Sequence, residues 1–359
     1  MKYLNALNII SGIGPQKIKT LLGHFENTKA IWEVGLENLK YTKIGEKLAE
    51  RIVVERNNIN PDKEWEKLQK ENIQILTFDS PGYPPLLKEI HNPPYLLYTK
   101  GKFNFLNSTP LISIVGSRKY TPYGSQIARN FSKDLSRAGF AIVSGMALGI
   151  DTFAHRGTLE AGGKTIAVLG NGLDEKSIYP RNNLNLSREI EESGMLISEY
   201  PIGTQAGPLT FPARNRIVAG LSLGTLVVEA GESSGALITA QMALNANREV
   251  FSVPGQIFSL QSVGTNNLIK KGARLVSGLK DILEELNMSL QKETGEKIPR
   301  IPATENEKVL LEILSPEPIH IDNISKLSKL GTAEVSSALS MMEIKGWVKN
   351  IGGQNYILT

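Results

Sequence analysis

The chain alternates, from Leu111 onward, between short β-rich runs and helical stretches, and this alternation limits the possible folds more than any other feature of the sequence. The runs are, in order, LISIV, AIVSG, TIAVLG, MLISEY, TLVVEA, EVFSV and RLVSG. Strands separated by helices pair in parallel, because the helix supplies the crossover that a parallel neighbour requires. The sequence therefore predicts an α/β fold with a Rossmann-like, doubly wound, mostly parallel sheet, preceded by one additional strand at residues 95–98.

The segment before the sheet is predicted to form a helical domain. Gly turns in GIGPQKIKTLLGHF and KIGEKLAERIVV lead directly into helical apolar spacing, which is typical of a helix-hairpin-helix or SAM-like domain over residues 1–62. Such turns either aim backbone N–H groups at DNA phosphates or serve as the turns of a plain helical bundle, and the sequence leaves both open. The sheet domain is then expected to span residues 63–286.

The carboxyl end divides into a linker and a small last domain. Residues 287–303 are polar, charged and broken by proline, as expected for a linker. Residues 304–359 show three helical patterns followed by a hairpin turned by Gly352 and Gly353, which predicts a winged helix. The third helical pattern, TAEVSSALSMMEIKG, has Lys345 as its only basic residue, so we expect an accessory role rather than strong duplex binding.

Composition excludes several classes of protein. With 359 residues, 41% of them hydrophobic and 21% charged, the chain is ordinary globular material for two or three domains. It has no cysteine, which excludes disulfides and thiolate zinc sites and fits a reducing cytoplasm. There is neither a convincing signal peptide nor an uncharged apolar segment of about eighteen residues, so we expect a cytoplasmic protein without a membrane partner.

Candidate binding residues lie in the loops that follow the strands, since ligands of open parallel sheets bind outside the carboxyl ends of the strands. Several of these loops are rich in glycine, which lets a ligand approach the backbone. The same loops carry Arg118, Arg181, Arg214 and Arg216. If these guanidinium groups converge, they form a positive crevice for phosphates. The alternative is that each pairs with a local carboxylate such as Asp151, Asp174 or Glu199.

The enzyme motifs in the sequence are incomplete. The loop GSRKYTPYG lacks the glycine spacing of a dinucleotide fingerprint, and AGGKT at residues 161–165 lacks the first glycine of a P-loop. GESSG places Ser233 as in a nucleophile elbow, but the only later histidine, His320, falls in the last domain. The four histidines show no paired metal spacing. We therefore expect no catalytic residue, no cofactor and no metal.

The sheet region resembles the DNA-processing protein A family, DprA or Smf, over roughly residues 80–286. The resemblance is carried by ISIVGSRKYTPYG, VSGMALGIDTFAH, KTIAVLGNGLDEKSIYPRNN and FPARNRIVAGLSLGTLVVEAGESSGALITAQMALNANREVFSVPG. It implies a non-catalytic single-stranded DNA-binding protein that protects incoming strands during natural transformation and recombination and helps to load the RecA recombinase. It also implies a homodimer formed through the sheet domain.

The resemblance further implies a set of DNA- or phosphate-binding residues. Its phosphate pocket corresponds to Gly116, Ser117 and Arg118 of the GSR turn and to Ser144 and Gly145 of the SGMALG turn. The other candidates are Arg181 and Asn182, Lys164 at the opposite end of its strand, Phe211 for base stacking, and Arg214, Asn215 and Arg216. The alternative for Phe211 is a core residue that anchors its loop. Several relatives carry a basic residue where this chain has Pro208, so weaker binding is expected along that edge, unless the charge comes from elsewhere.

A second family provides the alternative function. GLSLGTLVVE, which contains Glu229, is similar to the G-G-x-G-T-x-x-E loop of nucleotide-cleaving phosphoribohydrolases. In those enzymes a glycine pair wraps a nucleoside phosphate and the carboxylate polarises the ribose. Leu221 and Ser222 interrupt the glycines in this chain, so we interpret Glu229 as a structural echo of that loop.

Overall fold

The computed structural model describes residues 1–102, 104–288, 302, 304–315, 318–345, 347–350 and 352–358. The chain divides into two compact units, Met1–Gln291 and Lys292–Thr359. The first unit contains an amino-terminal helical segment and a large sheet with its covering helices. Among the described residues, no helix is both long and apolar enough to cross a membrane.

The amino-terminal segment is helical throughout. Residues 1–70, all of them described, form α1 (Lys2–Ile9), α2 (Pro15–Leu22), α3 (Thr28–Glu33), α4 (Leu36–Lys40), α5 (Glu46–Glu55) and α6 (Pro61–Lys70). Two of these helices begin at the glycine turns seen in the sequence, α2 after Gly14 and α5 after Gly45. Buried side chains of the helices, such as Leu7, lie in one apolar cluster with Leu196 of the sheet. The helical segment therefore packs on one face of the sheet.

The sheet is mostly parallel. The described residues of the first unit form nine strands in the spatial order β1-β2-β6-β5-β4-β3-β7-β8-β9. These are β1 (Gln74–Thr77), β2 (Leu96–Gly101), β3 (Leu111–Val115), β4 (Ala141–Ser144), β5 (Thr165–Leu169), β6 (Met195–Ser198), β7 (Gly224–Val227), β8 (Glu249–Ser252) and β9 (Arg274–Leu275). The seven strands from β3 to β9 pair in parallel, whereas β2 pairs antiparallel with both β1 and β6. The predicted α/β fold is confirmed, and β2 is the additional strand expected near residues 95–98.

The connections place a reversal of strand order in the middle of the sheet. The helices between strands are α7 (Pro85–Lys88), α8 (Pro122–Arg137), α9 (Ile150–Glu160), α10 (Leu184–Ser193), α11 (Thr210–Leu221), α12 (Gly235–Asn245) and α13 (Val263–Lys270), and α14 (Leu279–Glu285) follows β9. The chain proceeds from β3 outward to β6 and then returns to β7, on the other side of β3. Ligands of doubly wound sheets bind at such a switch point, because the flanking loops diverge there and leave a crevice.

Both faces of the central strands are covered. On β3, Leu111 and Val115 belong to the core shared with α11 and α12, whereas Ile112 and Ile114 belong to the core shared with α8 and α9. Since successive side chains of a strand point to opposite faces, two apolar cores require apolar residues at nearly every position. This is the physical reason why LISIV is apolar at every position except Ser113.

The second unit is a winged helix. It contains α15 (Glu305–Ile313), β10 (Ile319–His320), α16 (Ile321–Ser328), α17 (Thr332–Ile344), β11 (Val348–Asn350) and β12 (Asn355–Leu358). The wing strands β11 and β12 pair antiparallel, and β10 pairs with β12. Leu310, Ile324 and Leu339, one from each helix, are fully buried in its core. The predicted winged helix is confirmed. Residues 289–301 and 303 of the expected linker at 287–303 lie outside the described residues, and the domain boundaries stay predictions.

Candidate functional site

A cleft of about 560 Å³ opens at the carboxyl ends of β3, β4 and β7. The cleft lies over the neighbouring strands β3 and β7, where the strand order reverses. The cleft is lined by the segment Gly116–Lys119 after β3, by Gly145 and Ala147 after β4, by the first turns of α11 and by the residues around Gly235 at the start of α12. Loops that are far apart in the sequence therefore meet in the crevice that this sheet topology predicts.

Arg118 and Phe211 form the lip of the cleft. The guanidinium carbon of Arg118 lies 5.0 Å from the centre of the Phe211 ring, within cation–π distance. Arg118 is exposed, and among the described residues no ion pair or hydrogen bond engages its guanidinium group. Lys119, also exposed, lines the same cleft. A guanidinium that is oriented by a ring and has no carboxylate partner keeps its N–H groups available for an anionic ligand.

Hydrogen bonds to the end of β7 and to a distant loop fix the turn that carries Arg118. The Ser117 amide donates to the Glu229 carbonyl at 2.7 Å, and the Ser117 hydroxyl lies 2.8 Å from Oε1 of Gln261. The Lys119 amide donates to the Ser117 hydroxyl at 3.0 Å. The turn is therefore held from several sides, which preorganises the position of Arg118.

Arg214 forms the back wall of the cleft. Its side chain is only 4% exposed and donates from Nη1 to the carbonyls of Gly145 and Val168. A Cβ atom at position 145 would lie 2.6 Å from the guanidinium, so only glycine leaves room for it. Burial lowers the pKa of Arg214 to about 10, and the group remains positively charged at neutral pH. Arg214 thus ties two strand ends together and contributes positive charge from behind.

Asp151 lies beside Arg214 and also lines the cleft. Its carboxylate accepts from the amides of Gly145 at 3.1 Å and Ala147 at 3.3 Å. Burial raises the pKa of Asp151, and the positive charge of Arg214 and these hydrogen bonds oppose that shift. A carboxyl group that is negative when ionised therefore lies close to the place where an anionic ligand would bind.

The structure brings together seven of the twelve binding residues predicted from the sequence: Gly116, Ser117, Arg118, Gly145, Phe211, Arg214 and Asn215 all line the cleft. Phe211 is half-buried, and its ring centre lies 5.8 Å from that of Tyr179. Among the described residues, no other ring packs on Phe211. DNA contact by these residues stays a prediction.

The other five predicted residues lie outside the cleft. Arg216 donates to both carboxylate oxygens of Glu199, at 2.7 and 2.9 Å, and its guanidinium is therefore engaged as an ion pair. The Ser144 hydroxyl is buried and donates to the Ile114 carbonyl. Of the four arginines that were expected to converge, only Arg118 and Arg214 line the cleft. Arg216 instead pairs with Glu199, one of the local carboxylates named as alternative partners.

The positions of Lys164, Arg181 and Asn182 follow from the strand ends. Lys164 precedes β5 and its ammonium lies 5.2 Å from the Phe105 ring, so it occupies the opposite edge of the sheet. Arg181 donates to the Glu175 carbonyl at 2.6 Å. Arg181 and the exposed Asn182 lie in a short 3₁₀ turn close after Tyr179, near the Phe211 side of the lip but not in the cleft.

Lys119 and Gln261 are among the cleft residues that were not predicted from the sequence. Lys119 follows Arg118 directly in GSRK, so its charge and position were visible signals. Gln261 gave no signal, because its contact with Ser117 joins positions 144 residues apart.

The alternative enzyme sites lack the geometry that they need. Ser233 lines the cleft, but no described histidine hydrogen-bonds to it; His155 is buried and bonds instead to the Thr165 hydroxyl at 2.7 Å. Glu229 lies outside the cleft and accepts from the amide and the hydroxyl of Thr121, at 3.0 and 2.5 Å. Its carboxylate therefore stabilises the start of α8 (Pro122–Arg137), which is a structural role and agrees with the interpretation from the sequence.

Comparison with known proteins identifies the family. Residues 74–287 match the model of DNA recombination-mediator protein A, and residues 297–354 match that of the DprA winged helix domain. Protein Smf of Synechocystis sp. is 37% identical over an alignment of 390 positions, gaps included, which covers 99% of this chain and 98% of the relative.

Solved structures agree with this match. The structure of DNA processing protein A from Streptococcus pneumoniae is 35% identical, with a TM-score of 0.71, over 79% of this chain and 98% of that one. DNA processing protein A from Helicobacter pylori, whose structure was described for its single-stranded DNA binding mode, is 32% identical with a TM-score of 0.54, over 60% of this chain and 97% of that one. The fold, the switch-point cleft and these matches together show that the chain belongs to the DNA recombination-mediator protein A family, DprA or Smf.

Proposed function

We propose that this protein binds single-stranded DNA without reading its sequence, as a mediator of recombination during natural transformation. The observation that carries the proposal is the pairing of the exposed Arg118 guanidinium with the Phe211 ring at the lip of the cleft, 5.0 Å apart. Single strands are held by phosphate contacts along a positive groove and by bases stacked on aromatic rings. The lip provides both kinds of group side by side. The single-stranded DNA binding of the Helicobacter pylori relative supports the same ligand.

The cleft suits phosphate better than a reacting substrate. Arg118, Lys119 and the buried Arg214 contribute positive charge, and the glycine turns expose backbone to the ligand. Among the described residues, no group of three or more histidine and acidic side chains is arranged to hold a metal ion. We infer a non-catalytic role, in which the protein binds and protects the strand in the cytoplasm.

Arg118→Ala should weaken binding of a fluorescent oligothymidine by about 10- to 100-fold, the loss of a charge-assisted phosphate contact. Fluorescence anisotropy at several salt concentrations measures this, and the slope of log affinity against log salt should fall by about one. Arg137→Ala is the matched control, since Arg137 is 62% exposed and lies at the far end of α8, in an ion pair with Asp134. Equal affinity of Arg118→Ala and wild type at moderate salt, with the fold intact by circular dichroism, would remove the proposal.

Two partners belong to the proposal because the family resemblance implies them. We propose that the protein helps to load RecA on the bound strand and acts as a homodimer through the sheet unit. The exposed edge of the sheet at β9 (Arg274–Leu275), where Leu275 is 45% exposed, supports an interface on this unit. Sedimentation of the full chain tests the dimer. RecA filament formation on oligothymidine, with and without the protein, tests the loading; an unchanged filament rate would contradict it.

A further inference from the structure

A second cavity, of about 600 Å³, lies next to the cleft. Its walls are the segment Thr121–Tyr123 and the loop at residues 254–262, which we call the 254–262 loop. Two chain segments lead from the cleft to this cavity. Gly116–Lys119 line the cleft and Thr121–Tyr123 the cavity, while Gln261 lines the cleft and its neighbours in the 254–262 loop line the cavity. A strand that leaves the cleft over Lys119 therefore reaches the second cavity next.

The lining of the cavity disfavours phosphate. It contains no lysine or arginine, and its one charged side chain is the carboxylate of Glu229. Among the described residues, Glu229 forms no ion pair; its carboxylate oxygens accept from Thr121. A phosphate placed here would be repelled by that negative charge and would find no cation to balance it.

The same lining suits a nucleobase. Tyr123 is 47% exposed, and its hydroxyl donates to the Pro254 carbonyl at 3.1 Å, which fixes the ring against the loop. The Gln256 and Ser259 side chains line the cavity and have no hydrogen-bond partner among the described residues. An aromatic face with neutral donors and acceptors around it is the combination that holds a base by stacking and by its polar edge.

The 254–262 loop also carries a second exposed ring. Phe258 is 93% exposed and stands in the sequence between Gln256 and Ser259, two residues that line the cavity. Ile257 and Leu260 beside it are each 79% exposed, and residues 250–269 contain no charged side chain. Apolar side chains presented this openly, on a loop anchored to the cleft through Gln261 and Ser117, fit the bases of a strand whose phosphates lie in the cleft.

We propose that the cavity between Tyr123 and the 254–262 loop, together with Phe258 of that loop, is a second base-binding site for the same single strand. This inference rests on the proposed function, since the strand must first occupy the cleft. It extends the site from a phosphate cleft with one stacking ring to a longer path with stacking rings on both sides of Arg118 and Lys119.

The test compares oligothymidines of increasing length on the full chain. Phe258→Ala and Tyr123→Ala should each lower the affinity for long oligomers by roughly 5- to 150-fold, which is the cost of losing one stacked base. They should leave the shortest oligomers that still bind unaffected, because those fill only the cleft. The salt dependence should not change, since neither side chain contacts a phosphate. Fluorescence anisotropy measures all three.

Matched variants separate stacking from general damage. Tyr123→Phe keeps the ring and removes only its hydrogen bond to Pro254, so it should lose less affinity for long oligomers than Tyr123→Ala does. Tyr41→Ala removes a ring that is 80% exposed in the amino-terminal helical segment and should have no effect. In a long oligomer, an abasic residue at one particular position should reduce the affinity of the wild type. The same oligomer should show no such reduction with Phe258→Ala, because that variant already lacks the ring that would stack on the missing base.

The outcomes distinguish this inference from the proposed function. Wild-type affinity of Phe258→Ala and Tyr123→Ala for every length would overturn the inference, while loss of binding by Arg118→Ala in the same experiment would leave the proposed function intact. An equal loss on the shortest and the longest oligomers would also overturn it. If these variants changed their oligomeric state while their DNA affinity stayed the same, the loop would instead be a contact surface for a second copy of the chain, which would also overturn the inference. Failure of the wild type to bind any oligomer would remove the proposed function itself.

Discussion

Arg214 and Asp151 are two buried ionisable residues behind the cleft, and their charges would act on the phosphates of a strand bound there as proposed. Burial lowers the pKa of Arg214 to about 10, yet the guanidinium stays charged at neutral pH. Burial raises the pKa of Asp151 above its usual 3.8, so its carboxyl gains a proton at a higher pH than an exposed aspartate does. The positive charge behind the cleft is therefore constant, whereas the negative charge is removed as the pH falls.

This difference predicts a pH dependence of DNA binding. As the pH falls toward the raised pKa of Asp151, the carboxyl becomes neutral and repels phosphates less, so oligothymidine affinity should rise. Asp151→Asn should bind more tightly at neutral pH and lack this rise, because the amide is neutral while its oxygen still accepts from Gly145 and Ala147. Anisotropy titrations of both proteins at constant ionic strength measure the effect. Parallel pH curves for the two proteins would contradict it.

His155 predicts a pH dependence of stability. Burial lowers the pKa of His155 to about 3, from 6.5, so the unfolded chain takes up a proton that the folded chain does not. Stability is therefore lost as the pH falls below 6.5, by about 1.4 kcal/mol per pH unit from this residue. Urea unfolding of His155→Gln should show lower stability at neutral pH but a shallower decline in acid. An equally steep decline in the variant would show that other groups cause it.

At the scale of elements, the start of α8 explains the burial of Glu229. The Thr121 hydroxyl accepts from the Gly124 amide as the helix N-cap and donates to the Glu229 carboxylate. Glu229 is 2% exposed, and a Cβ at position 124 would lie 2.1 Å from its oxygen. The positive end of the helix and these hydrogen bonds stabilise a buried carboxylate that has no cation partner among the described residues.

Thr121→Ala should lower the free energy of unfolding by about 2 kcal/mol, because the helix loses its cap and Glu229 loses a donor. Thr121→Ser keeps the hydroxyl and should cost much less. Urea unfolding followed by circular dichroism compares the two variants with the wild type. If serine and alanine destabilise equally, the hydroxyl is not the stabilising group.

The strands of the sheet were predicted more reliably than its edge. Each of the seven β-rich runs corresponds to a strand. The five strands from β3 to β7 are buried at every position, and burial on both faces requires a locally readable apolar run. The edge strand β1 (Gln74–Thr77) was not predicted. It is short and partly exposed, and it is defined by antiparallel pairing with β2, in which Gln74 faces Thr99.

At the scale of the whole molecule, every residue of the cleft lies in the first compact unit, Met1–Gln291. The winged helix has its own apolar core, built around Leu310, Ile324 and Leu339. We therefore predict that binding of a single strand in the cleft, as proposed, needs no residue of the second unit.

A chain that ends at Met288 should accordingly bind oligothymidine within about twofold of the full chain, a difference below 0.5 kcal/mol. The truncation removes the winged helix and leaves all strands of the large sheet in place. Anisotropy with the same oligomer measures the affinity, and circular dichroism confirms the fold. A tenfold loss would show that the winged helix contributes to the bound strand.

The sequence by itself determined the strands, the glycine turns and the helix starts, because these depend on spacing over a few neighbouring residues. It also pointed to Arg118, which stands two residues after Gly116 in the turn that follows a strand. Tertiary structure decided what became of the other arginines. Arg214 is buried between two carbonyls and Arg216 is held by Glu199, although both stand in the same short sequence, FPARNR. An arginine is free, buried or paired according to desolvation and to partners from remote segments, and only the folded sheet brings those partners together.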